Sequence, residues 1–242
     1  MAKKAQPLKL PSPKNANQTL PALHTVYVAG TGGGKTTAIK KLNLVPRGAQ
    51  VVFFDPYENY CNEKFKGQNV QRFTEFSPFA RALVAARAKN TSFKCALVKP
   101  ATMENLEMFA AIVWSVGDGL KKPLHVVIEE LGSAAETSTK LNGRAGELWR
   151  GGRQFGLVVH SAFQRTQEVP KTVITQSPVW WVGGLSSLTD VNAIHRLRGT
   201  CLDKLRSLKT AAQNNGIAEY LIIGNGVDNV QQGELICKQN KS

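Results

Sequence analysis

A glycine-rich segment, Gly30-Thr31-Gly32-Gly33-Gly34, lies between a β-branched apolar run and Lys35-Thr36-Thr37. The apolar run predicts a strand and the residues after the glycines predict a helix, which is the context of a phosphate-binding loop. Glycines let successive backbone N–H groups point at phosphate oxygens, and the helix adds the positive end of its dipole. Lys35 can reach the β- and γ-phosphates, and the Thr36 hydroxyl can bind Mg²⁺. The spacing fits a Walker A motif with Ala29 in place of the first glycine, so we predict that this segment binds ATP.

A second apolar run, His125-Val126-Val127-Ile128, ends in the adjacent carboxylates Glu129 and Glu130. A buried strand that ends in two carboxylates is typical of a Walker B motif. Glu129 can hold Mg²⁺ through its water shell, and Glu130 can orient and deprotonate the attacking water. Aspartate is the usual first residue, so Glu129 departs from the pattern. Acidic pairs also occur as solvated strand ends, but the upstream loop favours catalysis.

A third polar residue follows a predicted strand. The run Leu157-Val158-Val159-His160 predicts a strand, and Gln164 comes shortly after it. In a parallel sheet Gln164 then lies at the carboxyl edge, where ligands of open α/β sheets bind. From there its amide can sense the γ-phosphate or the attacking water.

The remaining pattern indicates an α/β fold of the P-loop NTPase type, a mainly parallel sheet flanked by helices with a C-terminal β-hairpin. Further strands are predicted at 50–54, 95–98, 179–182 and 219–223, and helices at 80–89, 103–116, 188–197 and 202–211. Thr102 is predicted to cap the second of these helices. Residues 1–21 are basic and proline-rich and are expected to be a flexible or extended arm, with the ATPase domain spanning 22–242.

The composition is ordinary for a globular protein apart from its charge. The formal net charge is +14 and the sequence pI is about 9.8 over 242 residues. Such an excess favours a polyanionic partner, first nucleic acid and second an anionic membrane surface, over a merely basic surface. The four cysteines are scattered, which argues against zinc and disulfides. No run approaches the roughly 18 apolar residues of a membrane span, and we expect no signal peptide.

Four segments in this order resemble the FtsK–HerA superfamily of P-loop DNA motors. They are the glycine-rich loop, the turn at 55–60, the Glu129-Glu130 pair, and the stretch from Gly152 through Gln164-Arg165. Residues 169–170 and 186–190 are similar to downstream segments of that superfamily, so the resemblance covers roughly residues 22–235. Among its members, the chain looks most like the genome-packaging ATPases of internal-membrane (tectivirus-like) phages and viruses.

The resemblance implies a homo-oligomeric ring, expected to be hexameric, with ATP between subunits and double-stranded DNA in the pore. It also implies an arginine finger supplied by a neighbouring subunit. Arg150 and Arg153 are the first candidates and Arg144 the third, with a solvated basic surface as the alternative for each. Such a finger is worth about 10³–10⁵ in rate in other NTPases.

The leading hypothesis is an ATP-driven motor that moves duplex DNA into a preformed viral capsid. Expected partners are packaging-vertex or membrane proteins, and the expected location is the host cytoplasm or the virion. Alternatives are a Zot-like filamentous-phage assembly ATPase and a plasmid or transposon ATPase. A non-enzyme alternative is a nucleotide-binding structural protein of a virion vertex. The basic segments 140–153 and 204–209 are equal candidates for DNA contact.

Overall fold

The protein folds around one nine-stranded sheet, and the predicted fold class is confirmed. The computed structural model describes residues 10–134, 140–224, 226 and 229–237. Seven strands are parallel and an antiparallel hairpin completes the sheet, in the order β3-β4-β2-β5-β6-β1-β7-β8-β9. The strands are β1 (Thr25–Val28), β2 (Gln50–Phe54), β3 (Gln71–Phe73), β4 (Phe93–Leu97), β5 (Leu124–Ile128), β6 (Leu157–Phe163), β7 (Val179–Gly183), β8 (Ile217–Ile223) and β9 (Val230–Ile236).

Within the described residues, eight α-helices flank the sheet. They are α1 (Lys35–Lys41), α2 (Phe76–Lys89), α3 (Met103–Ser115), α4 (Leu131–Ala134), α5 (Gly143–Arg150), α6 (Lys171–Gln176), α7 (Leu188–Arg198) and α8 (Leu202–Ser207). Successive strand residues point to opposite faces, so each strand contributes to two cores. One core contains the buried residues of α2, α3 and α5–α8, whereas α1 and the segment after it cover the other face. None of the helices in these described ranges is long and apolar enough to cross a membrane.

Several predicted elements are confirmed. The strand at 50–54 has the predicted bounds, and Thr102 caps α3 by accepting a hydrogen bond from the Asn105 N–H. The strand after residue 157 is longer than predicted and runs to Phe163. The C-terminal hairpin is present as β8 and β9, although Asn225 in its turn lies outside the described residues.

Other predictions are wrong for identifiable reasons. The helix predicted at 202–211 stops at Ser207, because Leu208 turns to an extended backbone and buries its side chain. The sequence interpretation missed β3, α5 and α6. Helix α5 starts under the Glu107 carboxylate of α3, which accepts the N–H groups of Arg144 and Ala145 at 2.6 and 2.8 Å. A cap supplied from 37 residues away leaves no local sequence signal.

The N-terminal segment from residue 10 onward is extended over the body of the same chain. Lys14 N–H donates to the Gly117 carbonyl at 2.9 Å, and Asn17 N–H donates to the Gln154 carbonyl at 2.7 Å. An extended segment is one of the two alternatives that the composition suggests, and these backbone hydrogen bonds do not depend on its side chains. Residues 1–9 lie outside the described residues, and the domain boundary at residue 21 stays a prediction.

A chain of buried polar groups crosses the face of the sheet that α1 covers. His160 lies between Tyr27 and His125, with its Nδ1 3.2 Å from the Tyr27 hydroxyl and its Nε2 2.8 Å from His125 Nδ1. All these groups are satisfied when both histidines are neutral and the tyrosine donates. Burial lowers the pKa of His125 to about 4, lowers that of His160 well below its usual range, and lowers that of His24 to about 4.

The buried histidines should make the stability of the fold sensitive to acid. Because their folded pKa values lie below the unfolded value of about 6.5, the unfolded chain binds protons first as the pH falls. We expect the free energy of unfolding to fall between pH 7.5 and 5 by about 2 kcal/mol per buried histidine. The buried carboxylates Asp55 and Glu129, whose pKa values are raised by burial, oppose part of this loss.

Urea unfolding at pH 7.5, 6 and 5 measures the effect. Replacing His24 by glutamine should flatten the profile, because it removes one of the buried histidines. A free energy of unfolding that does not fall over this range would show that the buried histidines do not control acid stability.

Candidate nucleotide site

Most of the predicted site residues meet at the carboxyl edge of the sheet. Strand β6 lies between β1 and β5, so the segments that follow these three strands are neighbours. They surround a cavity of about 660 Å³, a size that suits a small-molecule ligand. The predicted residues that line it are Thr31, Gly32, Gly33, Gly34, Lys35, Thr36, Thr37, Glu129, Glu130 and Gln164.

The glycine-rich loop has the backbone that its residues predict. Gly32 and Gly34 have φ angles of 68° and 91°, in the left-handed region that glycine tolerates best. Helix α1 begins directly after Gly34, so its free N–H groups face the cavity. Gly30 is different, because its N–H donates to the Gly184 carbonyl at 2.9 Å and it does not line the cavity. A direct contact of Gly30 with nucleotide therefore stays a prediction.

Lys35 is folded back onto the loop. Its Nζ donates to the carbonyls of Ala29 at 2.9 Å and Gly30 at 3.3 Å. Burial lowers the pKa of Lys35, and the nearby charges of Glu129 and Glu130 act in the opposite direction. The loop thus holds a cation at its base, between the backbone of the loop and two carboxylates.

Glu129 is almost fully buried and is held by two hydroxyl groups. The Thr36 hydroxyl donates to its Oε1 at 3.2 Å, and the Tyr60 hydroxyl donates to the same oxygen. Burial raises the pKa of Glu129, while the hydrogen bonds from Tyr60 and Thr36 lower it. Tyr60 is itself fully buried and stacks on Phe53, with ring centroids 4.4 Å apart. Two donors from separate segments therefore fix the first carboxylate of the acidic pair.

Glu130 and Gln164 also lie on the cavity wall. Glu130 has a φ angle of 52°, so the chain turns sharply between β5 and α4 and leaves this carboxylate on the cavity wall. Gln164 accepts a hydrogen bond from the Thr31 hydroxyl at 3.0 Å. Gln164 follows β6 at the edge of the sheet, next to β5, the strand that ends before Glu129 and Glu130, as predicted.

The turn at 55–60 positions two side chains at the site. Asp55 accepts the N–H groups of Asn59 and Tyr60 at 2.8 and 3.0 Å, and this fixes the turn after β2. As a result Asn59 lines the cavity and Tyr60 reaches Glu129. The sequence interpretation missed both contacts. The only signal was the resemblance of this segment to a family motif, because Tyr60 and Glu129 are 69 residues apart.

The opposite wall of the cavity was also missed. It comes from the loop before β8 and from the end of β9, and its residues are Ala211, Ala212, Asn215, Gly216 and Cys237. The Cys237 N–H donates to the Gly216 carbonyl at 2.8 Å, which ties the two segments together. The hairpin therefore completes the site as well as the sheet.

The three candidate arginine fingers lie away from this cavity and contact their own chain. Arg150 donates to the Leu141 carbonyl at 2.6 Å and pairs with Glu147. Arg153 donates to the carbonyls of Gln18 and Leu20, at 2.7 and 2.6 Å. The Arg144 guanidinium lies 5.7 Å from the Trp114 ring. Their action on a neighbouring subunit stays a prediction.

The chain is similar to a phage protein in sequence and to a viral genome-packaging NTPase in fold. No protein-family model matches it. It is 29% identical over 175 residues to Protein P9 of Pseudoalteromonas phage PM2, covering 72% of this chain and 74% of that protein. The genome-packaging NTPase B204 of Sulfolobus turreted icosahedral virus 2, solved with AMPPCP, superimposes with a TM-score of 0.65 at 13% identity over 90% of this chain and 98% of B204. VirB4 of Thermoanaerobacter pseudethanolicus gives a TM-score of 0.57 at 11% identity over 90% of each chain.

These likenesses define the fold as that of a P-loop ATPase. The fold is similar to those of B204 and VirB4, which agrees with the resemblance to the FtsK–HerA superfamily drawn from the sequence motifs.

Proposed function

We propose that this protein is an ATPase that translocates double-stranded DNA, and that it packages a viral genome into a preformed capsid as a homo-oligomeric ring, expected to be hexameric. The observation that carries the proposal is the meeting of Lys35, Thr36, the two carboxylates and Gln164 around one cavity. The likeness to a genome-packaging NTPase and to Protein P9 of a phage supports the viral setting. The net charge of +14 supports a nucleic acid as the cargo. We place the protein in the host cytoplasm or at the packaging vertex of the virion.

The residues divide the reaction among them. The loop N–H groups and Lys35 bind the phosphates and balance their charge. Glu130 accepts a proton from the attacking water as the bond between the γ-phosphorus and the bridging oxygen breaks. Gln164 lies where an amide can orient that water or sense the γ-phosphate, and Thr31 fixes its orientation. Arg150 or Arg153 of a neighbouring subunit is proposed to stabilise the charge on the transferred group.

The site suits Mg²⁺. The Thr36 hydroxyl and the Glu129 carboxylate are oxygen donors 3.2 Å apart, and Mg²⁺ prefers oxygen ligands, of which the protein supplies few. Among the described residues no three His, Cys, Asp or Glu side chains cluster to hold a metal on their own. When bound, the ion would neutralise charge on the phosphates. We propose that Thr36 holds it directly and that Glu129 holds it through water.

This arrangement predicts a role for Tyr60 in metal affinity. Tyr60→Phe retains the stacking on Phe53 but removes the hydroxyl that donates to Glu129. The buried carboxylate then becomes easier to protonate, and its orientation is less restricted. We expect the Mg²⁺ concentration that gives half-maximal ATP hydrolysis to rise about 10–100-fold, with a larger rise below neutral pH.

Tyr57→Phe is the matched control, because Tyr57 is in the same turn but its side chain is exposed. It should leave the Mg²⁺ dependence unchanged. Equal Mg²⁺ requirements in Tyr60→Phe and wild type would show that the Tyr60 hydroxyl does not tune Glu129.

A triplex-displacement assay tests translocation. A linear duplex carries a labelled third strand near one end, and release of that strand reports movement along the duplex. We expect release with ATP and none with a non-hydrolysable analogue. ATP hydrolysis without strand release would contradict translocation by this chain, and the absence of both would favour a structural role at a virion vertex.

A further inference from the structure

A concentration of positive charge lies on α7 and α8. Between residues 195 and 210 the sequence places five Lys or Arg residues against one carboxylate, that of Asp203. Arg198 is half-buried and donates to the carbonyls of Pro178 and Gly224. The other four cations are exposed, and within the described part of the chain their side chains form no ion pair or hydrogen bond. We call these four the α7–α8 basic surface: Arg196, Lys204, Arg206 and Lys209.

In the other basic segment, at 140–153, the arginine side chains already contact groups of their own chain. The guanidinium groups of Arg150 and Arg153 donate to carbonyls of their own chain, and Arg144 lies over an aromatic ring. A phosphate contact by Arg150 or Arg153 therefore has to replace existing hydrogen bonds. The α7–α8 basic surface has no such competition, so the structure separates two segments that the sequence left equal.

The α7–α8 pair is joined to the nucleotide cavity through Gly184. The Gly184 carbonyl, in the turn that leads into α7, accepts the N–H of Gly30 in the phosphate-binding loop. A Cβ atom on Gly184 would lie 2.7 Å from the Thr210 nitrogen, so the same residue also touches the chain just after α8. Through Gly184, the loop is therefore connected to the segment before α7 and to the segment after α8.

A second connection runs through Asp190. Asp190 lies in the first turn of α7 and is almost fully buried. Its Oδ2 is 3.6 Å from Nε of Arg165, the residue that follows Gln164. Gln164 is therefore linked to the start of α7 through one residue and one ion pair.

A third connection is the cavity wall. Ala211 and Ala212 line the cavity, and they follow Lys209 by only two and three residues. Lys209 itself is fixed by its N–H, which donates to the Glu219 carboxylate at 2.8 Å. An exposed cation and the wall of the nucleotide site therefore belong to one short segment.

We propose that the α7–α8 basic surface binds the sugar-phosphate backbone of duplex DNA, and that bound nucleotide controls this contact through Gly184 and Asp190. The inference rests on the proposed function, since it assigns the DNA contact of that motor. Exposed lysines and arginines contact phosphates without reading bases, so the binding is independent of sequence and weakens as salt rises.

Two variants of the full chain with equal charge loss test the proposal. The first is Arg196→Gln/Lys204→Gln/Arg206→Gln/Lys209→Gln. The control is Arg47→Gln/Lys64→Gln/Arg81→Gln/Lys89→Gln, which removes two arginines and two lysines that are also exposed. Binding of a labelled duplex of mixed sequence is measured by fluorescence anisotropy over a range of salt, with ADP or with a non-hydrolysable ATP analogue. Nucleotide affinity and the thermal midpoint verify folding in both.

In the first variant we expect duplex affinity to fall at least about 30-fold, and the slope of log K against log salt to fall by about 3. The duplex affinity of the control should fall only slightly, because its net charge is lower by the same amount. Wild-type affinity should differ at least about fivefold between the two nucleotides. Equal losses in the two variants would overturn the surface assignment, and equal wild-type affinities would overturn its control by nucleotide. A wild-type protein that binds no duplex would instead contradict the proposed function itself.

Discussion

Replacing Glu130 by glutamine is expected to lower the turnover number for ATP by about 10²–10⁴-fold, with nucleotide affinity within about threefold of wild type. Glu130 lies on the cavity wall, in a left-handed backbone conformation that glutamine adopts as readily as glutamate. The substitution therefore removes the proton acceptor and leaves the shape of the site intact. Steady-state hydrolysis and equilibrium binding of a fluorescent ATP analogue separate the two effects.

Glu104→Gln is the control, because it makes the same chemical change at an exposed position in the first turn of α3. Its turnover should equal that of wild type. A Glu130→Gln protein that hydrolyses ATP at more than about a tenth of the wild-type rate would assign the proton to another group, because a positioned general base contributes 10²-fold or more.

The second large effect is expected for Lys35→Ala. Lys35 Nζ donates to carbonyls at the base of the loop, and the nearby charge of the buried Glu129 raises its pKa against the larger effect of burial. Its loss removes charge-assisted hydrogen bonds to phosphate, each worth about 1.5–3 kcal/mol. It also removes the cation that offsets the repulsion between the two carboxylates and the phosphates. We expect ATP affinity to fall at least about 100-fold.

Lys41→Ala is the matched control within the same helix, since the Lys41 Nζ donates to the Ile236 carbonyl outside the cavity. Isothermal titration calorimetry with ATP and Mg²⁺ distinguishes the two. If both variants bind ATP as wild type does, the phosphates are held somewhere other than at the glycine-rich loop.

The parts of the fold that local sequence controls were predictable. The strand at 50–54 contains the uninterrupted apolar run 51–54 and is followed by Asp55-Pro56, and α3 follows a threonine that caps it. Helix α5 was not predictable, because Gly143 and Gly146 within it obscure the helical pattern and its cap comes from Glu107. The end of α8 depends on where Leu208 finds a buried position, which only the tertiary structure determines.

The candidate site divides in the same way. The glycine-rich loop and the Glu129-Glu130 pair are contiguous motifs, and Gln164 follows from its place after a strand. Tyr60 could not be assigned to Glu129, because that contact depends on which strands are neighbours in the sheet. The cavity wall formed by the loop before β8 and by the end of β9 could not be predicted for the same reason, because these residues are distant in sequence from the glycine-rich loop.

Steady-state ATP hydrolysis with and without long duplex DNA, at about 50 and 200 mM salt, tests the proposed DNA motor most directly. We expect the duplex to stimulate hydrolysis, the stimulation to weaken at the higher salt, and Glu130→Gln to abolish it. Hydrolysis that is indifferent to duplex DNA at both salt concentrations would contradict a DNA-driven motor and would favour an ATPase that a protein partner activates.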